Sequence, residues 1–313
     1  MRYIIGIVLV ALLGWCLWWW VAAAGQRTAW ERLLDHQRAM GREAEAQVSV
    51  KGFPNRIDTT LLGVSMLDNQ RGWGWEAPFF QVLMLSYKPN HIIAAWPPNQ
   101  TITTPIGEIE VTSEQLQASA IFAAETDLGL ERFNLDGAAL SASGALSAAL
   151  PRLMINTTRN DGAPERYDVL LEARQPIVQG LALERIRGDL TLVFDAPLDR
   201  HAATGKAPRF DGAIIRSLRL ERGDDTVETS GEIGVDANGF AEGVLQLQAA
   251  RLDQIPAYLN AIGIRLDVDP TVLALLSRAT SGSGPITIDL AMRGGVIEFG
   301  PLRTKVGRAP RLR

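Results

Sequence analysis

Three histidines are the first residues that could do chemistry, because imidazole titrates near neutral pH and often binds metals. They are His36, His91 and His201. None of them has a second histidine or a carboxylate at the spacing of a metal site such as H-x-x-x-H. We therefore interpret each as a surface or packing residue, and we predict no metal and no cofactor.

Three short motifs are incomplete forms of catalytic or ligand-binding sequences. Ser65 lacks the second glycine of a G-x-S-x-G nucleophile elbow. The glycines of 282–284 follow a predicted helix and lack the third glycine of a dinucleotide loop. The pair Asp267 and Asp269 begins like a calcium loop, but Pro270 follows and the later ligands are missing. A pair of acids for glycoside hydrolysis is defined by distance in space and not by spacing in the sequence. The balance of these observations predicts that the chain is not an enzyme.

Composition narrows the class of protein further. The chain has 313 residues, 47% apolar and 21% charged, with a net charge of -4, which is ordinary for a globular protein. No strong basic field is present, so we predict no nucleic-acid partner. The single cysteine, Cys16, lies in an apolar run and follows Trp15, which does not fit a lipoprotein site. The rest of the chain cannot form an internal disulfide.

The run from Ile4 to Ala24 contains no charged residue. At about 1.5 Å per residue it is long enough to cross the roughly 30 Å hydrocarbon core of a membrane. Arg2 precedes it, and Trp18, Trp19 and Trp20 near its far end suit the membrane interface. We predict a transmembrane anchor over residues 1–25, with the N-terminus in the cytoplasm and the bulk of the chain in the periplasm.

Two features around this anchor remain open to more than one interpretation. Cleavage of a signal peptide after Ala24 is the alternative to an anchor, because residues 22–24 offer a small-residue site. Residues 26–46 carry Trp30, Leu33, Leu34 and Met40 at helical spacing. They predict an amphipathic helix that packs on the following sheet; a membrane-surface or partner-binding role is the alternative.

Residues 47–306 change to short segments of alternating polarity separated by turn residues, which is typical of antiparallel β structure. Examples are Ile57 to Val64, Phe79 to Tyr87 and Ile286 to Met292. Gly137-Ala138 and Gly294-Gly295 fit hairpin turns that need positive φ. The fold class is therefore mainly β, a β-rich α+β chain whose long, curved antiparallel meander sheet follows an N-terminal transmembrane helix.

Two short helices interrupt this pattern near the C-terminus. They are predicted over Asp253 to Ile262 and over Pro270 to Ala279, with Asp253 and Asp269 as N-caps. Residues 307–313 are rich in arginine and lack acids, so they predict a solvated basic tail or one that meets an acidic surface.

The segment GFPNRID, Gly52 to Asp58, combines turn residues with an aromatic ring and two opposite charges. Gly52, Phe53 and Pro54 predict a bend between two strands. Arg56 and Asp58, two residues apart on a strand, share one face and can pair. We interpret the segment as a structural corner; a ligand-binding loop is the alternative.

GFPNRIDTTL, followed by WEAPFFQVLMLSYKPNHIIAAWPPNQ, resembles the DUF2125 family of bacterial proteins, a domain of unknown function. That resemblance implies an inner-membrane protein with its body in the periplasm, and it implies no catalytic residue. The pattern of strands separated by glycine turns is also similar to that of AsmA-like envelope proteins. The curved sheets of those proteins enclose lipid acyl chains.

We consider two functions, of which the AsmA-like resemblance implies the first. The first is lipid handling or envelope maintenance, with lipid acyl chains bound on an apolar sheet face. The alternative is a structural or adaptor role that binds other envelope proteins through sheet edges or through the helix that contains Leu33 and Leu34.

Overall fold

The computed structural model describes residues 2–204, 207–250, 255–261, 263, 286–299 and 304–312. Of the two helices predicted near the C-terminus, the first is confirmed as α2, Ile255–Ala261. The second, at 270–279, lies outside the described residues.

The N-terminal helix α1 is continuous over Arg2–Ala39. Its apolar half contains no proline, and its last turn carries His36 and Arg38, which suit the negative end of the helix dipole. Gly41 follows with φ 77° and its N–H donates to Arg38 O at 2.9 Å, a helix-ending conformation that favours glycine. The prediction of helix up to residue 46 is therefore wrong.

Nineteen strands make up most of the described chain. Their bounds are β1 Glu43–Lys51, β2 Arg56–Asp68, β3 Trp73–Leu85, β4 Lys88–Ala95, β5 Asn99–Thr104, β6 Gly107–Thr112, β7 Gln115–Phe122, β8 Leu130–Gly144, β9 Ala148–Asn160, β10 Ala163–Arg174, β11 Ile177–Val178, β12 Leu181–Ala182, β13 Arg185–Phe194, β14 Phe210–Arg222, β15 Asp225–Val235, β16 Ala241–Ala249, β17 Ile286–Arg293, β18 Val296–Phe299 and β19 Thr304–Arg308. Antiparallel pairings join these strands into one sheet, as the alternating pattern predicts. A short 3₁₀ helix, Arg200–Thr204, precedes β14.

The chain divides into two compact units. The first comprises Met1–Leu135, Ala142–Ala145 and Asp199–Lys206, and the second comprises Asp136–Ser141, Leu146–Leu198 and Ala207–Arg313. In the first unit, β2 lies between β1 and β3, and β4 joins β3 to β7. In the second, β9, β10 and β13 to β19 follow one another as neighbours.

The core of the second unit lies on one face of β14 to β17. Leu220, Leu247 and Leu290 are fully buried there, and α2 adds Tyr258 and Leu259. Each buried leucine stabilises the fold by about 1.5–3 kcal/mol relative to an exposed one. The apolar face of this part of the sheet is therefore filled by the protein itself.

The core of the first unit is smaller and lies between α1 and the sheet. Leu61, Val64 and Ala77 are buried in it, and Trp30 of α1 packs against them. Leu34, one turn further along α1, is 2% exposed. The amphipathic part of the helix thus packs on the following sheet, in agreement with the first of its two interpretations.

Two turn predictions have different outcomes. Gly294 and Gly295 have φ 55° and 79° between β17 and β18, which confirms that hairpin. Gly137 and Ala138 lie inside β8, so the prediction of a hairpin there is wrong. Extended backbone accommodates both residues within the long strand.

The prediction of a solvated basic tail over 307–313 is also wrong for the described residues. Arg308 ends β19, and Ala309 is buried. The Leu312 N–H donates to Gly239 O at 2.7 Å, and Pro310 O accepts from Ala241 N at 2.9 Å. Backbone hydrogen bonds therefore hold this segment against the second unit.

Candidate membrane-proximal site

Helix α1 lies along β1 and β2, and a series of hydrogen bonds shows its direction. Trp19 Nε1 donates to Arg56 O at 2.7 Å, Arg27 Nη2 to Val48 O at 3.1 Å, and Arg38 Nε to Ala44 O at 2.7 Å. The helix therefore runs antiparallel to β1 and in the same direction as β2. Within this unit, the turn between β1 and β2 lies beside the apolar half of α1.

We call this turn, Gly52–Asn55, the GFPN corner. The Arg56 N–H donates to Gly52 O at 2.9 Å, and the Phe53–Pro54 peptide bond is cis. Gly52 has φ 111°, and a Cβ there would lie 2.8 Å from Arg56 O. Glycine is needed at this position because a side chain would collide with backbone.

The corner is tied to the turn between β3 and β4. The Ser86 N–H donates to Asn55 O at 2.9 Å, and its hydroxyl donates to Pro54 O at 3.3 Å. Ser86 is itself buried. The two turns therefore form one connected tip at the same end of the sheet.

Arg56 and Asp58 form the ion pair that their spacing allows, with Nε 3.0 Å from Oδ2. The Arg56 side chain is half exposed, so water screens the pair and its contribution is about 0–1 kcal/mol. The segment therefore combines a hydrogen-bonded turn with a weak surface ion pair.

The three tryptophans predicted at a membrane interface have different surroundings. Trp18 and Trp20 are 50% and 66% exposed. Trp19 turns toward the protein, where its ring meets Phe53 edge-on at 5.4 Å between centroids. Trp15 adds a bond from Nε1 to Pro54 O at 3.2 Å. Trp18 and Trp20 thus face outward, whereas Trp19 faces the corner.

A second feature lies further along α1. It is a cleft of about 870 Å³ within the first unit, between the helix and the 3₁₀ helix. We call it the helix cleft, and its lining residues are Gln26, Ala29, Trp30, Arg32, Leu33, His36, Arg200 and His201. On α1 they follow the apolar run directly, so the cleft begins where the hydrophobic segment ends.

The helix cleft combines cations with an apolar wall. Arg32 and Arg200 are both exposed, and neither side chain forms an ion pair with the part of the chain that the structure describes. The backbone N–H of Arg200 donates to Asp127 O at 3.1 Å, and His201 Nε2 lies 3.9 Å from Asp127 Oδ1. Guanidinium groups bind phosphate or carboxylate in a bidentate way. The cleft therefore has the chemistry to bind an anionic amphiphile.

Sequence spacing did not reveal this site, because its residues lie far apart in the chain. The structure brings His36 and His201 to the same cleft. His91 lies elsewhere, with Nε2 2.9 Å from Ser119 Oγ across β4 and β7. Within the described ranges, no group of His, Cys, Asp and Glu could hold a metal ion. His36 and His201 thus share one surface.

A third feature is a polar network on the second unit. Arg216 Nη1 lies 3.2 Å from Asp168 Oδ1, its Nε donates to Asp189 Oδ1 at 2.7 Å, and the Thr191 hydroxyl donates to Asp168 at 2.6 Å. The Thr191 bond, followed by those from Asn160 and Arg216, lowers the pKa of the Asp168 carboxyl. The hydrogen bond to Asp189 raises the pKa of Arg216. These charges satisfy one another, which indicates a structural role.

The cleft of about 450 Å³ beside this network is open and mixed in character. Met154 and Leu170 line it together with Glu172, Arg187 and Asp189. Cations and carboxylates balance there. It offers no concentrated charge comparable with the arginines of the helix cleft.

Fold and site together define a β-rich protein with one N-terminal apolar helix beside its sheet. Helix α1 is the one helix of the described chain that is long and apolar enough to cross a membrane. A signal sequence has the same properties. The chain belongs to the family described as "Uncharacterized protein conserved in bacteria (DUF2125)", which matches residues 19–310. Comparison with curated proteins and with solved structures finds no match. The AsmA-like resemblance is not shown by these comparisons.

Proposed function

We propose that this protein is anchored in the bacterial inner membrane by α1, with its sheet in the periplasm, and that it binds lipid in the helix cleft. Its role is lipid handling or envelope maintenance by binding, without catalysis. The helix cleft carries this proposal, because it places two exposed arginines beside an apolar wall directly after the apolar run.

Contacts between α1 and the sheet support an anchor rather than a cleaved signal peptide. Cleavage after Ala24 would remove the donors to Pro54 O and Arg56 O, and the ring that packs on Phe53. It would also remove Ala23, which is buried against the protein. The residues before the cleavage site thus belong to the folded unit.

The proposed orientation assigns Arg2 and the amino group, which precede the apolar run, to the cytoplasmic side. The other end of α1 and the sheet then lie in the periplasm.

The helix cleft follows the apolar run on the same helix, so a lipid bound there would have left the bilayer. Arg32 lies eight residues beyond Ala24, which is about 12 Å along the helix. Arg32 and Arg200 would bind a phosphate-bearing head, and Ala29 and Leu33 would contact its apolar part. Each buried CH₂ group adds about 0.8 kcal/mol.

An apolar sheet face was the expected lipid surface, and the structure favours the helix cleft instead. The buried faces are occupied by the protein's own cores. Exposed apolar residues, such as Leu62, Ile93 and Leu170, are scattered over different strands. The adaptor hypothesis also loses a proposed contact, because Leu34 is buried inside the first unit.

The test is lipid binding by the full chain in nanodiscs of phosphatidylcholine. Dihexanoylphosphatidylglycerol, below its micellar concentration, is titrated against the protein, with dihexanoylphosphatidylcholine and inorganic phosphate as separate arms. We expect the Arg32→Glu, Arg200→Glu double variant to bind the anionic lipid at least about tenfold more weakly, because charge-assisted bonds contribute about 1.5–3 kcal/mol each.

The matched control is the Arg222→Glu, Arg293→Glu double variant, which makes the same charge change at exposed positions of the second unit. Equal loss in both double variants would indicate general electrostatics and would contradict the site. Binding of inorganic phosphate as tight as that of the lipid would contradict the apolar contribution.

A further inference from the structure

The position of the GFPN corner along α1 conflicts with a membrane boundary at Ala24. Trp15 bonds to Pro54 O and Trp19 packs on Phe53. These tryptophans lie nine and five residues before Ala24. At about 1.5 Å per residue, these are distances of about 14 and 8 Å along the helix. A boundary at Ala24 would therefore place the corner inside the hydrocarbon layer.

The charges near the corner exclude that position. Arg56 and Asp58 lie directly after it, and Lys51 and Lys88 flank the two turns. A charged side chain at the bilayer centre costs at least about 2.5–3.5 kcal/mol. The membrane boundary must therefore be nearer to the N-terminus than the apolar run alone suggests.

We propose that the GFPN corner and the β3–β4 turn lie in the interfacial layer of the membrane. The corner presents Phe53 and the turn presents Tyr87, which are 55% and 66% exposed. On the helix, Trp18 and Trp20 are exposed at the same level. Aromatic side chains of this kind accumulate at the level of the lipid headgroups.

The positive charges at this tip also fit a membrane surface. Lys51 and Lys88 are exposed at the two turns, and lysine near a membrane is attracted to anionic headgroups. Long basic side chains also extend their charge toward the surface while their apolar stems stay buried. A lipid surface therefore accounts for both the exposed rings and the flanking cations.

Hydrogen bonds make the tip a rigid membrane contact. Ser86 joins the two turns, and the two indole N–H groups bond to Pro54 O and Arg56 O. These backbone acceptors are satisfied inside the protein, which lowers the cost of placing them where water is scarce. The corner thus sets how deeply the anchor sits and how far the helix cleft stands from the bilayer.

The inference rests on the anchoring part of the proposed function, and its test separates the two. In a Cys16→Ser background, single cysteines at Phe53, Tyr87 and Gln70 are labelled with a nitroxide. The full chain is reconstituted in vesicles of phosphatidylethanolamine and phosphatidylglycerol. Gln70 is the control, because it lies in the turn at the other end of β2, about 40 Å along a strand of this length.

We expect severalfold lower accessibility of the Phe53 and Tyr87 labels to a water-soluble relaxation agent, and higher accessibility to oxygen, than at Gln70. Equal accessibility at all three sites, in protein that resists carbonate extraction, overturns the corner inference alone. Release of the chain by carbonate overturns both the anchor and the corner inference. Hydrogen exchange of the unlabelled chain gives a second measurement: residues 52–56 must exchange more slowly in vesicles than in detergent.

Discussion

Replacement of Gly52 by alanine tests whether the close packing of the GFPN corner organises the contact between α1 and the sheet. Gly52 has φ 111°, and an added Cβ would lie 2.8 Å from Arg56 O and 2.9 Å from Arg56 Cβ. An L-residue in such a conformation costs about 1–3 kcal/mol. Relief of the clash moves the Arg56 carbonyl away from Trp19, and a lost hydrogen bond adds about 1 kcal/mol.

The expected total is therefore about 2–4 kcal/mol of lost stability for the first unit. The assay is thermal unfolding of the full chain in detergent, followed by near-ultraviolet circular dichroism of the tryptophans. A loss of this size lowers Tm by about 4–16 °C, at about 2–4 °C per kcal/mol. Tryptophan fluorescence before the transition should also shift, because Trp19 loses its contact with the corner.

Gly63→Ala is the matched control. Gly63 has φ 60° in β2, but nothing lies within 4 Å of an added Cβ. Only the conformational cost of about 1–2 kcal/mol applies there. If both variants lower Tm equally and leave the fluorescence unchanged, the clash with Arg56 has no influence and the reasoning about the corner is refuted.

Three further predictions test the helix contact, the polar network and the core. Trp19→Phe keeps an aromatic ring but removes the N–H, so thermal unfolding should show a loss of about 1 kcal/mol, whereas Trp18→Phe should show none. Because hydrogen bonds hold the pKa of Asp168 below its ordinary value, its contribution is present above about pH 4 and falls as the pH drops through the lower folded value. The stability difference between the natural chain and Asp168→Asn should therefore shrink below about pH 4 in urea titrations; a difference independent of pH contradicts the assignment. Leu290→Ala should cost about 2–5 kcal/mol in the same titrations, whereas Leu170→Ala, at a half-exposed position, should change stability by less than about 1 kcal/mol.

The local sequence pattern predicted those helices and strands that depend mainly on neighbouring residues. Absence of charge and proline predicted α1, and alternation predicted strands such as β17, because each pattern reflects a period of the backbone itself. The GFPN corner was also predictable, since Gly52 and Pro54 restrict the chain within a few residues.

Other features were not evident from the local pattern. Helix α1 ends at Ala39 because Gly41 adopts positive φ, although helical spacing continues beyond it. The C-terminal segment looked solvated because its arginines dominate its composition, whereas Ala309 is buried and its backbone is paired. Composition does not report backbone pairing.

The sequence by itself determined that this chain has an apolar helix followed by antiparallel strands, and it identified the family. Periodicity and apolar length are properties of neighbouring residues, so they can be read without coordinates. The tertiary structure alone decided that Trp19 faces the corner while Trp18 faces outward. It also decided that Arg32 and Arg200 line one cleft, because only folding brings residues from distant segments to the same surface.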